Sequence, residues 1–253
     1  MVEYFNLILD DYSVTCKTEK IDCNIIIDDD MAGAYTRVRP DLVEKNKISL
    51  LDINQYHGLT IAPYEINDKF TILINLNYIN DSLAKNNVDY VGTVVHEAVH
   101  VNDFKNYFKI VQAKSYDELF DYHQHRLFQY WTEFHARAIG HYFLRKYTLD
   151  NFKDEIHLNI LVNYELPYQL NYMVSEVANT DNNDQKMYVI VHFLGRLAVW
   201  RFLYPNFFND EFINNLTCQN VWIKNLFYFF IENDSLEKVY ANFYKMHEII
   251  GLD

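Results

Sequence analysis

Positions 94–104 carry the sequence VVHEAVHVNDF, which contains the pattern His-Glu-x-x-His. In an α-helix, residues four positions apart lie on one face about one turn apart, so His96 and His100 can bind a single metal ion. The neighbouring residues are mainly valine and alanine, which is typical of a helix buried inside a domain. The stretch therefore predicts a buried helix that presents a pair of metal ligands.

Zinc is the metal that this pair of histidines indicates, because zinc binds imidazole nitrogen readily. A catalytic zinc site keeps three protein ligands and leaves its fourth position for water. Glu97 follows the first histidine, where it can accept a proton from the zinc-bound water, whose pKa the metal lowers to about 7. The pattern predicts a zinc-dependent hydrolase in which Glu97 is the general base.

The third zinc ligand is predicted to be Glu133. The pattern HExxHxxGxxH is excluded, because Asp103 and Asn106 stand where it requires glycine and histidine. Glutamate from a second helix is another common third ligand, and the chain between His100 and Glu133 is long enough for a loop and a returning helix. The alternative third ligands are three nearby histidines, His123, His125 and His135.

The HExxH helix followed by Glu133 and Ala136 resembles the gluzincins, and more narrowly the ImmA/IrrE-like metallopeptidases. In that family a strand precedes the HExxH helix, and a later helix supplies a glutamate followed three residues on by alanine. The resemblance covers about residues 58 to 145 and departs at Arg137, where the family commonly has asparagine. It implies a zincin-like fold, cleavage of peptide bonds in a protein substrate, and restricted specificity for one protein such as a regulator.

Further polar residues fit supporting roles in this chemistry. Asp103 lies three residues beyond His100 and can accept the free ring N–H of a ligand histidine, which would fix its tautomer. A peptidase also needs a donor for the oxyanion of the tetrahedral intermediate. The candidates for this donor are Tyr122, His123, His125, Arg137 and His192. His192 lies in an apolar helical pattern, which also fits a histidine packed in the core.

The sequence patterns predict an α+β fold, with a small N-terminal sheet, the HExxH active-site helix and a largely helical C-terminal half. Short strands of an antiparallel or mixed sheet are predicted at residues 4–9, 14–17, 24–27, 58–62 and 70–78. Helices are predicted at residues 89–109, 115–147, 185–203, 210–231 and 235–249. The half-polar strand 70–78 is expected at a sheet edge or on an exposed face, where an extended peptide can pair with it.

The chain is long and apolar enough for a large core, with 253 residues of which 50% are hydrophobic. We expect a zincin-like metallopeptidase domain at residues 1–150 and a helical C-terminal lobe at residues 151–253, with a single domain as the alternative. The three cysteines do not form a disulfide framework by their spacing, and the acidic N-terminal segment does not resemble a signal peptide. The expected compartment is therefore the cytoplasm.

The acidic charge opposes binding to nucleic acid. The 22 Lys and Arg residues against 35 Asp and Glu residues give a net charge of −13, and such a surface repels a phosphate backbone. We expect a protein or peptide substrate, and neither a nucleic-acid nor a membrane partner. An alternative function is a catalytically silent, peptidase-like binding or regulatory protein, either an inhibitor or a nucleic-acid mimic. The presence of Glu97 argues against it, since binding requires no general base.

Overall fold

The computed structural model describes residues 1–44, 50, 53–148, 154–217 and 220–251. These residues form two compact units, an N-terminal unit at Met1–Tyr122 and a C-terminal unit at His123–Asp253. The division predicted between residues 150 and 151 lies outside the described residues. Within the described ranges, no helix combines the length and the apolar character that a membrane span requires.

The N-terminal unit is α+β. Its strands are β1 (Cys23–Asp28), β2 (Gly58–Ile61) and β3 (Phe70–Asn75), in the order β1-β3-β2. Its α-helices are α1 (Val2–Cys16), α2 (Met31–Val38), α3 (Pro40–Glu44), α4 (Leu76–Ala84) and α5 (Asp89–Val111). β1 pairs with β3 in parallel and β2 pairs with it in antiparallel orientation, so the predicted mixed sheet is confirmed.

The first two predicted strands were wrong, since residues 4–9 and 14–16 lie in α1 and Lys17 is its C-cap. The buried residues of this helix include Phe5, Ile8, Leu9 and Tyr12, which recur with the three- and four-residue spacing of a helical face. In this segment the helical spacing of the apolar positions, and not the β-prone residue types, agrees with the observed secondary structure. The predicted strands at 24–27 and 58–62 are confirmed by β1 and β2.

The predicted strand at 70–78 is too long and wrongly placed at an edge. It ends at Asn75, whose side-chain oxygen accepts the backbone N–H groups of Asn77 and Tyr78 and so caps the start of α4. β3 is the central strand and all six of its residues are buried. Leu73, which breaks the polar alternation of the sequence, belongs to an apolar cluster that includes residues of α2. Because β3 is paired on both sides, an added peptide cannot pair with it.

The predicted HExxH helix is confirmed by α5, which extends from Asp89 to Val111. Its apolar residues Val91, Val94, Val95, Ala98 and Val99 are fully buried. They are buried because α5 packs against α1 and α4 as well as against β2 and β3. A helix surrounded in this way has no solvent-exposed face over its central turns, which explains why apolar residues occur on every side of the motif.

The C-terminal unit is helical in its described residues. Its α-helices are α6 (His125–Thr148), α7 (Glu155–Ile160), α8 (Leu166–Asn179), α9 (Asn183–Leu203), α10 (Asp210–Leu216), α11 (Val221–Glu232), α12 (Leu236–Ala241) and α13 (Phe243–Ile250). The predicted helix at 115–147 begins later than expected. Its first residues lie in the N-terminal unit, where a short 3-10 helix, Asp117–Asp121, follows Ser115, and α6 begins only at His125. The helix predicted at 210–231 is divided into α10 and α11, and the helix predicted at 235–249 is divided into α12 and α13.

Helices α6 and α9 form the main packing contact of the C-terminal unit. Gly195 on α9 allows their close approach, because a Cβ atom there would lie 2.8 Å from the backbone oxygen of Phe134 and 2.9 Å from the Cβ of Arg137. Such distances are too short for any larger residue. The contact therefore places the side chains that flank Gly195 on α9 against the central turns of α6.

Candidate functional site

The two histidines of the HExxH pattern meet on one face of α5 in the N-terminal unit. The Nε2 atoms of His96 and His100 lie 3.0 Å apart, and the two rings are nearly perpendicular, with an interplanar angle of 87°. Their exposed fractions are 8% and 7%, so both rings are withdrawn from solvent. At this distance one ring can donate a hydrogen bond to the other, with roles that depend on their tautomers, and the role of both histidines as metal ligands stays a prediction.

This geometry fits a zinc ion. A tetrahedral zinc ion with Zn–N bonds of about 2.0–2.1 Å separates two nitrogen ligands by about 3.3 Å. The observed 3.0 Å between the Nε2 atoms of His96 and His100 differs from this by about 0.3 Å, which a small rotation of either ring corrects. The chemistry of the donors agrees, since neutral imidazole nitrogen is a preferred zinc ligand.

Glu97 is held in place by strand β2. The hydroxyl of Thr60 lies 2.8 Å from the carboxylate Oε2 of Glu97 and 2.8 Å from its backbone oxygen, and it can donate its one hydrogen to either. Gly58 lies on the same side of the strand, where a Cβ would come within 3.0 Å of Oε1 of Glu97 and 2.7 Å of Thr93. Together these contacts limit the rotamers of a carboxylate that is only 6% exposed.

Asp103 is buried on α5, about one turn after His100, with an exposed fraction of 2%. Burial, reinforced by the negative charge of Asp103, raises the pKa of Tyr12 on α1. This electrostatic effect indicates that Asp103 lies near the Tyr12 hydroxyl. The role predicted for Asp103, fixing the tautomer of a ligand histidine, stays a prediction.

Glu133 is paired with His192 inside the C-terminal unit. The Oε2 atom of Glu133 lies 2.8 Å from Nε2 of His192, and Nδ1 of the same ring lies 3.1 Å from a terminal nitrogen of Arg137. A guanidinium can only donate, so Nδ1 of His192 is the acceptor and the ring proton is on Nε2. Arg137 therefore donates to a neutral His192, which in turn donates to the carboxylate of Glu133.

The alternative third ligands have different surroundings. His123 is exposed, whereas His125 is buried and burial lowers its pKa to about 4. His135 is stacked on Trp131, with ring centroids 4.9 Å apart. Among the candidate oxyanion donors, Tyr122 donates its hydroxyl hydrogen to the backbone oxygen of Val111 at 3.2 Å, a contact that holds it against the end of α5.

Side chains that can ligate a metal ion are present at buried or half-buried positions of each unit. Among them are His96 in the N-terminal unit, and Glu133 and His192 in the C-terminal unit. Sequence reasoning identified the first two, and it proposed His192 only as an oxyanion donor or a packed core residue. It did not identify Thr60 or the contact of Gly58 with Glu97. The function must be argued from this geometry, because no family model, curated protein or solved structure matches the chain.

Proposed function

We propose that the protein is a zinc-dependent peptidase in which His96 and His100 bind the metal and Glu97 is the general base. The observation that carries this proposal is the buried pair of Nε2 atoms 3.0 Å apart, with a constrained carboxylate at the next residue of the same helix. Two buried imidazole nitrogens at this distance are close enough to bind one ion.

Glu97 and the residues that position it have separate roles in the proposed hydrolysis. When bound, zinc lowers the pKa of water to about 7 and polarises a carbonyl group. Glu97 accepts the proton of the attacking water and passes it to the leaving amine, a role that needs a carboxylate of fixed position. Thr60 and Gly58 provide that fixed position through the hydrogen bond and the close contact described above.

Glu133 is the third ligand that the sequence predicts, and it stays a prediction. Within the C-terminal unit, the hydrogen bond from His192 orients the Glu133 carboxylate. A ligand carboxylate that is hydrogen-bonded by a neighbouring residue is typical of metal sites, because the second contact reduces the rotational freedom that metal binding would otherwise remove.

A polypeptide in extended conformation is the substrate that this arrangement favours. β2 lies at the end of the strand order of the described sheet, and its Thr60 contacts Glu97. A peptide that adds to the outer edge of β2 by backbone hydrogen bonds would run past the general base. The strand to which a substrate peptide would be added is therefore β2, and not β3, which is paired on both sides.

The experiment that tests the proposal combines metal analysis with a peptidase assay on a mixture of unstructured peptides. The protein purified without added metal is expected to contain about one zinc ion per chain, and the reconstituted protein is expected to cleave peptides. Glu97→Gln keeps the side-chain size and is expected to retain zinc but lose cleavage. A reconstituted protein with far less than one zinc per chain would refute the proposal.

A further inference from the structure

A pair of arginines surrounds His192 in the C-terminal unit. Arg137 on α6 approaches the ring, with a terminal nitrogen 3.1 Å from Nδ1. Arg196 on α9 lies one turn after His192, and its Nη1 donates to the backbone oxygen of His192 at 3.3 Å. The close contact of Gly195 with Arg137 brings the two helices together at this level. Both guanidiniums are therefore anchored to the same residue.

Neither guanidinium has an acidic partner in the described part of the chain. Their hydrogen bonds go to His192, an uncharged acceptor in both cases, and the nearby Glu133 accepts from His192. The Nε atom of Arg137 is buried and makes no hydrogen bond to any described residue. Both arginines are half-buried, and charges that are withdrawn from solvent in proteins are generally paired with an opposite charge.

The pKa of Arg196 reflects the charges around its guanidinium. Burial and the positive charge of Arg137 lower its pKa to about 9, and the only opposing influences are the hydroxyls of Tyr188, Tyr172 and Tyr168. The tyrosines therefore lie near the guanidinium without neutralising it. A like-charged pair that is partly withdrawn from water is costly, and a bound anion reduces the cost.

The three tyrosines are themselves exposed to solvent. Their exposed fractions are 45% for Tyr188, 50% for Tyr172 and 68% for Tyr168. The ring of Tyr188 lies against His192, with centroids 3.9 Å apart. All of these side chains donate hydrogen bonds readily, which suits acceptor oxygens.

We propose that Arg137 and Arg196 form a binding site for the oxyanion of a small-molecule ligand. The shared chemistry of its candidate sources, phosphate esters and carboxylates, is a negatively charged group with two or more acceptor oxygens. The planar fork of arginine binds such groups with two parallel hydrogen bonds. The site is separate in its residues from the HExxH motif, and its test does not depend on hydrolysis.

The test is calorimetric titration of the full-length protein with inorganic phosphate and with acetate, at constant ionic strength maintained by chloride. Saturable binding of one anion per chain is expected. Arg196→Gln should raise the dissociation constant about 10- to 100-fold, the loss expected for a charge-assisted hydrogen bond. Arg201→Gln is the matched control, since it makes the same charge change on the same helix at a guanidinium already paired with Asp210. It should leave the dissociation constant within about two-fold.

Two further arms separate the possible outcomes. The titration is repeated after chelation, because phosphate bound to a metal ion would be lost with the metal, whereas binding to the arginines would remain. Arg196→Lys retains the charge but loses the fork, and it replaces Arg196→Gln if that variant does not fold. Stronger binding of phosphate than of acetate assigns the ligand to phosphate esters, and the reverse assigns it to carboxylates. Absence of saturable binding, or wild-type affinity in both Arg196 variants, would overturn the proposal.

Discussion

Removing the hydroxyl of Thr60 tests whether strand β2 positions the general base. Thr60→Val replaces the hydroxyl by a methyl group of similar size and removes the only side-chain donor from β2 to Glu97 that the described contacts contain. The hydroxyl has two acceptors, each at 2.8 Å, but only one hydrogen. The variant therefore loses one hydrogen bond, which is directed at a charged or a neutral acceptor.

The expected magnitude follows from the burial of both partners. A hydrogen bond to a charged group contributes about 1.5–3 kcal/mol, and water can partly replace it because Thr60 is half-buried. We expect Thr60→Val to lower the free energy of unfolding by about 1–2 kcal/mol. Loss of a fixed carboxylate should also lower peptide cleavage about 10- to 100-fold, since misplacement of a reacting group has effects of this size.

Denaturation by urea measures the first effect and a cleavage assay measures the second. The matched control is Thr60→Ser, which keeps the hydroxyl and loses a methyl group, so that its activity should stay near that of the wild type while its stability falls by about 0.5–1 kcal/mol. Zinc content should be unchanged in both variants. If Thr60→Val keeps wild-type stability and activity, or if Thr60→Ser loses as much activity, the hydroxyl does not position Glu97.

Four other results are expected. A chelator should remove zinc and lower the melting temperature of the wild type, because the metal binds and stabilises only the folded chain; an unchanged melting temperature would argue against a metal centre. His96→Ala lacks one predicted ligand and should bind little zinc. Glu97→Gln should keep zinc by elemental analysis and lose cleavage by at least ~10²-fold, and loss of the metal in this variant would show that Glu97 is a ligand. Glu133→Ala should lose zinc and activity together, whereas tight zinc binding in it would direct the search to other ligands. Burial lowers the pKa of His125 to about 4, so as the pH falls below about 6.5 this histidine is protonated in the unfolded chain before it is protonated in the folded one. The free energy of unfolding should therefore decrease by about 3 kcal/mol between pH 6.5 and 4. His125→Phe should reduce this decrease in acid denaturation curves.

The parts of the fold that the sequence predicts are those in which two independent signals agree. For α5, the four-residue spacing of His96 and His100 and the run of valine and alanine both indicate a buried helix, and the structure has it. For α1, the aromatic and β-branched residue types suggested strands, and only the spacing of the buried positions favours a helix. Residue type is a weak signal for strands, because it reflects packing more than backbone preference.

The parts of the site that sequence reasoning missed depend on contacts between distant segments. Thr60 reaches Glu97 only because β2 lies beside α5, and no local pattern in residues 58–61 encodes that register. The central position of β3 was missed for a related reason. Thr71 and Asn75 are buried although they are polar, because a strand paired on both sides and covered by helices buries every residue, whatever its type.

Arg137 connects the departure from the ImmA/IrrE-like pattern to the arrangement of Glu133. The metallopeptidases that the sequence resembles commonly have asparagine after the alanine of this pattern, whereas Arg137 donates to His192, which donates to the predicted ligand carboxylate. Because arginine cannot accept a hydrogen bond, it fixes the proton of His192 on the nitrogen that faces Glu133. An asparagine could present either its oxygen or its amide to the ring, so the tautomer would be less strictly determined. His192 lies on α9, beyond residues 58–145 that carry the resemblance. The helical C-terminal unit therefore supplies the residue that orients Glu133. His192→Phe should weaken zinc binding, and unchanged zinc binding in this variant would show that Glu133 is not a ligand.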